Sequence, residues 1–243
     1  MSIRSLRAAA SFLTVLPVAN ADGSAGTRLG RAYFPMIGAA IGLVAGGLLV
    51  AVEAVSTPLL GAAAGVATLA ALTGAIHLDG LADSADGLLS RGDAQRRLEV
   101  MRDPRLGSYG VTAIVVTLLL QAAALAGMSP SRALVALVVA GAWSRLAALV
   151  VVAVVPYVRG DGLGMLAADP KRRRLDIGVG VATALMVSLL DWPRAAAAAA
   201  GVALVTVAVA AVSRRRLGGV TGDVCGASAE LGQLAALLAF SVR

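Results

Sequence analysis

The chain has 243 residues, of which 58% are apolar and only 14% charged, and it carries a formal net charge of +7. Apolar runs this long and this free of charge exclude an ordinary soluble domain, and they give the positive balance a membrane rather than a nucleic acid as its partner. A single cysteine, Cys225, excludes a disulfide framework, and one histidine with three tyrosines leaves carboxylates, arginines and bound metal as the available chemistry.

In chain order, Ser5 to Val18 follows Arg4 and is interrupted by Arg7; its apolar core is too short to cross a bilayer, and it ends at Pro17 without the small-residue pattern of a cleaved signal. It reads as an interfacial or re-entrant helix. Apolar segments follow at 32 to 55, 58 to 76, 109 to 127, 132 to 156, 177 to 190, 195 to 212 and 229 to 242. Several approach the roughly 20 residues that span hydrocarbon, whereas the fifth and the last are short enough to be tilted, re-entrant or partly inserted. The expected fold is therefore all-α: a polytopic integral membrane helical bundle, one domain over 1–243, with about seven spans and a range of six to eight. The spacings Gly38-x-x-x-Gly42 and Gly61-x-x-x-Gly65 predict close helix packing. Arg145 lies inside a span, where a charge is costly and faces a partner or a cavity.

Placing residue 31 in the cytoplasm puts most of the 21 basic residues on that side, in the segments around Arg4 to Arg31, Arg91 to Arg105, Arg159 to Arg174 and Arg214 to Arg216. Asp79, Asp83, Asp86, Asp103, Asp161, Asp223 and Glu230 fall on the same membrane face. The runs 171 to 174 and 214 to 216 read as orientation signals and contacts to anionic lipid.

The run His77-Leu-Asp79-Gly-Leu-Ala-Asp83-Ser-Ala-Asp86-Gly87 sets three carboxylates four and three residues apart. At about 100° per residue they share a narrow helical arc, so they are expected to converge on one point. Like charges held that close call for a cation between them, and the all-oxygen donor set suits magnesium or manganese. The competing reading is an exposed juxtamembrane face, a costly use of three acids with no lysine partner. Further along, Asp103-Pro104 breaks a helix, and Gly107 and Gly110 bracket Ser108 and Tyr109 in a turn that could offer backbone amides to a phosphate, flanked by Arg102 and Arg105. Asp103 could equally be a turn residue. His77 lies nearly opposite the aspartates on the helical wheel and could simply cap a span. In the second polar island, Gly218 to Glu230, Asp223 and Glu230 share a helical face if the helix begins by Asp223, and the two acidic sites could build a two-metal centre.

These pieces together resemble the cobalamin synthase family, the adenosylcobinamide-GDP ribazoletransferases. The resemblance rests on Phe12-Leu-Thr-Val-Leu-Pro17, Tyr33-Phe-Pro-Met-Ile-Gly38, His77 to Gly87, Arg97 to Asp103, Gly107-Ser-Tyr-Gly110, Arg159-Gly-Asp-Gly-Leu-Gly164 and Gly218 to Glu230, in unchanged order over nearly the whole chain. One departure is Gln233, where the family often carries a second glutamate. The resemblance implies a magnesium-dependent phosphotransferase in the bacterial cytoplasmic membrane, multi-pass, with its active site facing the cytoplasm and a homo-oligomer allowed. Its substrates would be adenosylcobinamide-GDP and α-ribazole or its 5′-phosphate, and GMP would leave. On that basis Asp79, Asp83, Asp86, Asp223 and Glu230 are metal ligands, and Asp83, Asp86, Asp103 and Asp223 carry catalysis. His77, Arg102, Arg105, Ser108, Tyr109, Arg159, Asp161 and Thr221 would contact substrate. The alternatives are another metal-dependent membrane transferase of the CDP-alcohol phosphotransferase type, whose Asp-Gly followed by Ala-Arg is not met because Ala82 precedes Asp83, and a transporter, which would bury its acids mid-span.

Overall fold

Four prolines, Pro35, Pro58, Pro130 and Pro193, each sit in the first turn of a helix, where the missing N–H costs nothing and the fixed φ favours initiation. The computed structural model describes residues 2–18, 29–159 and 172–242. Among them are ten α-helices: α1 (Ile3–Leu13), α2 (Phe34–Glu53), α3 (Pro58–Thr73), α4 (Ile76–Leu89), α5 (Ala94–Val100), α6 (Ser108–Ala126), α7 (Pro130–Val154), α8 (Arg173–Ser188), α9 (Trp192–Leu217) and α10 (Gly222–Ser241).

Each of the seven apolar segments forms a helix. Five of these, one of them α2 with the short turn before it, are long and apolar enough to cross a membrane, and a sixth crossing arises if the bent pair α3 and α4 counts as one. One expectation holds and one shifts. The fifth segment is short, as expected: it becomes α8, whose 16 residues fall short of a full crossing. The last segment is not short: Thr221 caps it by accepting from the Val224 N–H, so α10 begins at Gly222 and takes in the polar island.

α7 is the centre of the bundle. Of its most apolar stretch 83% is buried, against 17% for α9, whose remaining surface is left to lipid. α2 crosses α7 backbone on backbone, because side chains at Gly38 and Gly42 would collide with the carbonyl oxygens of Gly141 and Leu137. Gly61 and Gly65 approach Glu53 and Leu49 in the same way, so both small-residue spacings serve packing as expected. α1 lies against this assembly through the stacked rings of Phe12 and Phe34, 5.7 Å apart, and the Val15 N–H donates to the Leu72 carbonyl just beyond it.

α4 is turned 89° from α3. Two successive left-handed residues make the corner, Gly74 at φ 60° and Ala75 at φ 58°, the second at a conformation that a Cβ disfavours. The far end of α4 is held by two arginines: Arg97 donates to the Gly87 and Leu88 carbonyls, and Arg216 donates to Leu88 at 2.6 Å. These contacts satisfy carbonyls that the end of a helix leaves unpaired and fix α4 between α5 and α9.

Candidate active site where α4 crosses α10

α4 meets α10 at Gly80. A side chain there would lie 2.8 Å from the Asp223 carbonyl oxygen and 3.0 Å from its Cα, and one at Gly226 would lie 3.3 Å from the Cα of His77. Bare backbone on both helices brings the acids of one to the acid of the other. Asp79 and Asp83 flank Gly80 along α4, and the charges of Asp223, Asp79 and Asp86 all bear on Asp83. Asp79 is exposed, whereas Asp83 and Asp223 are half-buried.

The nearest positive charge is Arg159, whose Nη1 stands 2.7 Å from Asp223 Oδ2. The chain after α7 delivers it there. Tyr157 and Val220 form a two-residue parallel bridge, in which the Val220 N–H donates to Pro156 at 2.8 Å and the Val158 N–H donates to Val220 at 3.0 Å. A side chain at Gly219 would collide with the Pro156 carbonyl, so glycine is required for this approach. Arg159 Nε and Nη2 are buried and have no hydrogen-bond partner among the described residues, which leaves two donors for an anion. Thr221 donates to Asp223 Oδ2 at 3.3 Å and adds to its fixed orientation.

A second polar layer lies deeper in the bundle. Arg145, 1% exposed, donates from Nη1 to Gln233 Oε1 at 2.7 Å and to Ser144 Oγ at 3.0 Å, and it feels the charge of Glu230. Glu230 accepts from Gln121 Nε2 at 3.3 Å. His77 is buried beside Arg145, with Nδ1 unpartnered. The layer ties α4, α6, α7 and α10 together beneath the acids.

The two helices that cross at Gly80 carry the two acidic motifs on which the sequence resemblance rests, and comparison with known proteins covers the chain that holds them. The model of the cobalamin-5-phosphate synthase family matches residues 5–241. The chain belongs to the cobalamin-5-phosphate synthase family. Similar members of this synthase family include proteins named adenosylcobinamide-GDP ribazoletransferase from Azorhizobium caulinodans, 39% identical over 95% of this chain and 92% of that protein, and from Bradyrhizobium diazoefficiens, 37% identical over 97% and 92%. A third, from Pseudomonas savastanoi, is 37% identical over 96% of this chain and 97% of its own length. No solved structure matches the chain.

Within this member of the family, several of the expected residues lie away from the crossing. Asp86 does not converge with its two neighbours: its carboxylate accepts from the N–H groups of Gly107 at 2.8 Å and Gly110 at 2.9 Å, and so caps the start of α6. The turn expected to cradle a phosphate is thus occupied by a carboxylate of its own chain, and side chains at Gly107 or Gly110 would collide with it. Ser108 and Tyr109 are exposed beyond that turn. Asp103 pairs with Arg105 at 2.7 Å in an exposed loop, and the hydrogen bonds from Arg105 hold its carboxyl far below the usual carboxylate range. Arg102 is exposed in the same loop. Glu230 lies in the Arg145 layer, two helical turns from Asp223 and inside the bundle. His77 is buried in that layer, and Thr221 is buried as the α10 cap. Asp161 lies outside the described residues.

Gly226 makes the close backbone approach that its glycine-rich island allows and Arg145 faces the partners that a charge inside a span calls for, whereas Gly80 is a position to which the motifs give no part. Glycine in a helix interior is the signal for Gly80, since it costs stability and marks a close approach.

The site's chemistry suits a hard divalent cation. Asp79, Asp83 and Asp223 offer only oxygen donors, and their three negative charges face one guanidinium. They do not close into a cage: among the described residues no three His, Cys, Asp or Glu side chains are grouped closely enough to hold an ion as they stand.

Proposed function

We propose that the chain is an adenosylcobinamide-GDP ribazoletransferase that joins α-ribazole, or its 5′-phosphate, to adenosylcobinamide-GDP. A ribazole hydroxyl oxygen forms the new bond to the phosphorus nearest cobinamide. The bond from that phosphorus to the bridging oxygen breaks, and GMP leaves with the electron pair. The observation that carries the reading is the meeting of Asp79, Asp83, Asp223 and Arg159 where the two family motifs cross.

Arg159 binds a phosphate oxygen through its two unpartnered nitrogens while its third holds Asp223. Asp223, oriented by Arg159 and Thr221, stands where it accepts the hydroxyl proton or completes a metal shell with Asp79 and Asp83. Magnesium, or manganese in its place, would be held by these carboxylates and supplies neutralisation of the diphosphate and of the charge developing on GMP. The site faces the cytoplasm in this reading. Arg97 and Arg216, from two arginine-rich segments, fold onto the same helix as the acids, which is where positive residues collect. No observation favours a transporter or a CDP-alcohol phosphotransferase.

In proteoliposomes given adenosylcobinamide-GDP and magnesium, GMP release is expected only when α-ribazole is also present, in equal amounts with the corrinoid product. GMP release at the same rate without α-ribazole would mean hydrolysis rather than transfer.

The Gly80 crossing has its own test. Gly80→Ala sets a methyl group against the Asp223 backbone and is expected to destabilise the protein by about 1–3 kcal/mol. GMP release should fall by a larger factor than folded protein does, because the added methyl separates Asp83 from Asp223. Serial measurement of unfolding temperature and kcat on this variant distinguishes the two effects. Unchanged kcat would place the chemistry elsewhere.

A further inference from the structure

The lipid-facing side of the bundle carries a feature that transfer chemistry does not use. A groove of about 660 Å³ runs between α7 and α9, walled by Val150, Val154, Val207 and Ala211 and closed at one end by Arg214 and Arg215. Both helices are membrane-crossing candidates, so the groove opens at bilayer depth. Its one uncharged polar side chain, Thr206, donates to the Val202 carbonyl at 2.6 Å and offers no donor to a ligand. Among the described residues no acidic side chain lines it.

The arginines at its end differ from their neighbour. Arg216 is spent on the Leu88 carbonyl, whereas Arg214 and Arg215 are exposed, and among the described residues their side chains have no hydrogen bond or ion pair. An aliphatic slot ending in two unpaired guanidinium groups complements an amphiphile with an apolar chain and an anionic head. A phospholipid with a net negative headgroup meets both requirements. In a zwitterionic lipid the ammonium group offsets the phosphate, so the arginines gain less.

We infer that the groove between α7 and α9 binds one anionic phospholipid, an acyl chain lying along the valines and the headgroup phosphate held by Arg214 and Arg215. The site is separate from the acids at Gly80, and its existence does not depend on the transfer reaction.

The test uses the purified full-length chain in detergent, mixed with phosphatidylglycerol or phosphatidylcholine of identical acyl chains and examined by native mass spectrometry. The wild-type protein should retain one phosphatidylglycerol under activation that strips phosphatidylcholine. Arg214→Gln with Arg215→Gln should weaken phosphatidylglycerol retention by about thirtyfold. Arg214→Lys with Arg215→Lys should keep most of it. Val207→Trp fills the slot and should lower retention of both lipids with the arginines intact, which separates loss of the groove from loss of charge. Inorganic phosphate should not displace the bound lipid. Equal retention of the two lipids by wild-type protein, or unchanged retention by the double Gln variant, overturns the inference. Displacement by inorganic phosphate also overturns it and gives the arginines to a soluble anion.

Discussion

Asp83→Asn is expected to lower GMP release by about a thousandfold or more while leaving the protein as stable as before or more so. The substitution keeps the shape of the side chain and removes one charge. At Asp83 that charge works against folding, first because burial desolvates it and then because Asp223, Asp79 and Asp86 repel it, with Arg159 opposing them. Residues held in such mutual repulsion are retained for what they do rather than for what they stabilise. Unfolding temperature and kcat measured on the same preparation should therefore move apart. A variant that kept its activity would remove Asp83 from the site, and one that lost fold and activity together would make it a structural residue.

The second large effect lies in the buried layer. Arg145→Met is expected to destabilise the protein by about 3–5 kcal/mol, because it leaves Glu230 as an uncompensated charge in the bundle interior. It also strips Gln233 Oε1 and Ser144 Oγ of their donor. Adding Glu230→Gln to Arg145→Met should restore most of the lost stability, since the pair then leaves with no charge behind. Thermal unfolding in detergent of the two single variants and the double one reads this directly. Equal stability of Arg145→Met and the wild-type chain would contradict the pairing. Gln233, the one departure from the family pattern noted in the sequence, is here the neutral acceptor for Arg145, and the charge of Glu230 also acts on that arginine.

The helices of this fold were legible because apolar runs of the right length, opened by prolines, admit little else in a membrane. The number that cross was less so. The corner between α3 and α4 depends on Ala75 taking a left-handed conformation, which no local preference announces. The aspartate spacing correctly put Asp79 and Asp83 beside one another but could not show that Asp86 finds the Gly107 and Gly110 amides, because that contact needs α6 folded against α4. Asp223 and Glu230 share a helix and, in the sequence, the role of metal ligand, with catalysis given to Asp223 as well. The difference between them is depth, with Asp223 at the first turn beside Arg159 and Glu230 two turns inside beside Arg145. Arg159 was a candidate from its motif, yet its position beside Asp223 rests on the Tyr157 and Val220 bridge between segments far apart in sequence.

The central claim is that Asp79, Asp83 and Asp223 hold a divalent cation for transfer to adenosylcobinamide-GDP. Its most direct test is GMP release from proteoliposomes supplied with both substrates while magnesium is withdrawn by a chelator and then returned. Release should stop on withdrawal and recover in full on return of magnesium, with Asp83→Asn needing far more metal for any residual activity. Release that continued unchanged in the presence of the chelator would contradict the claim.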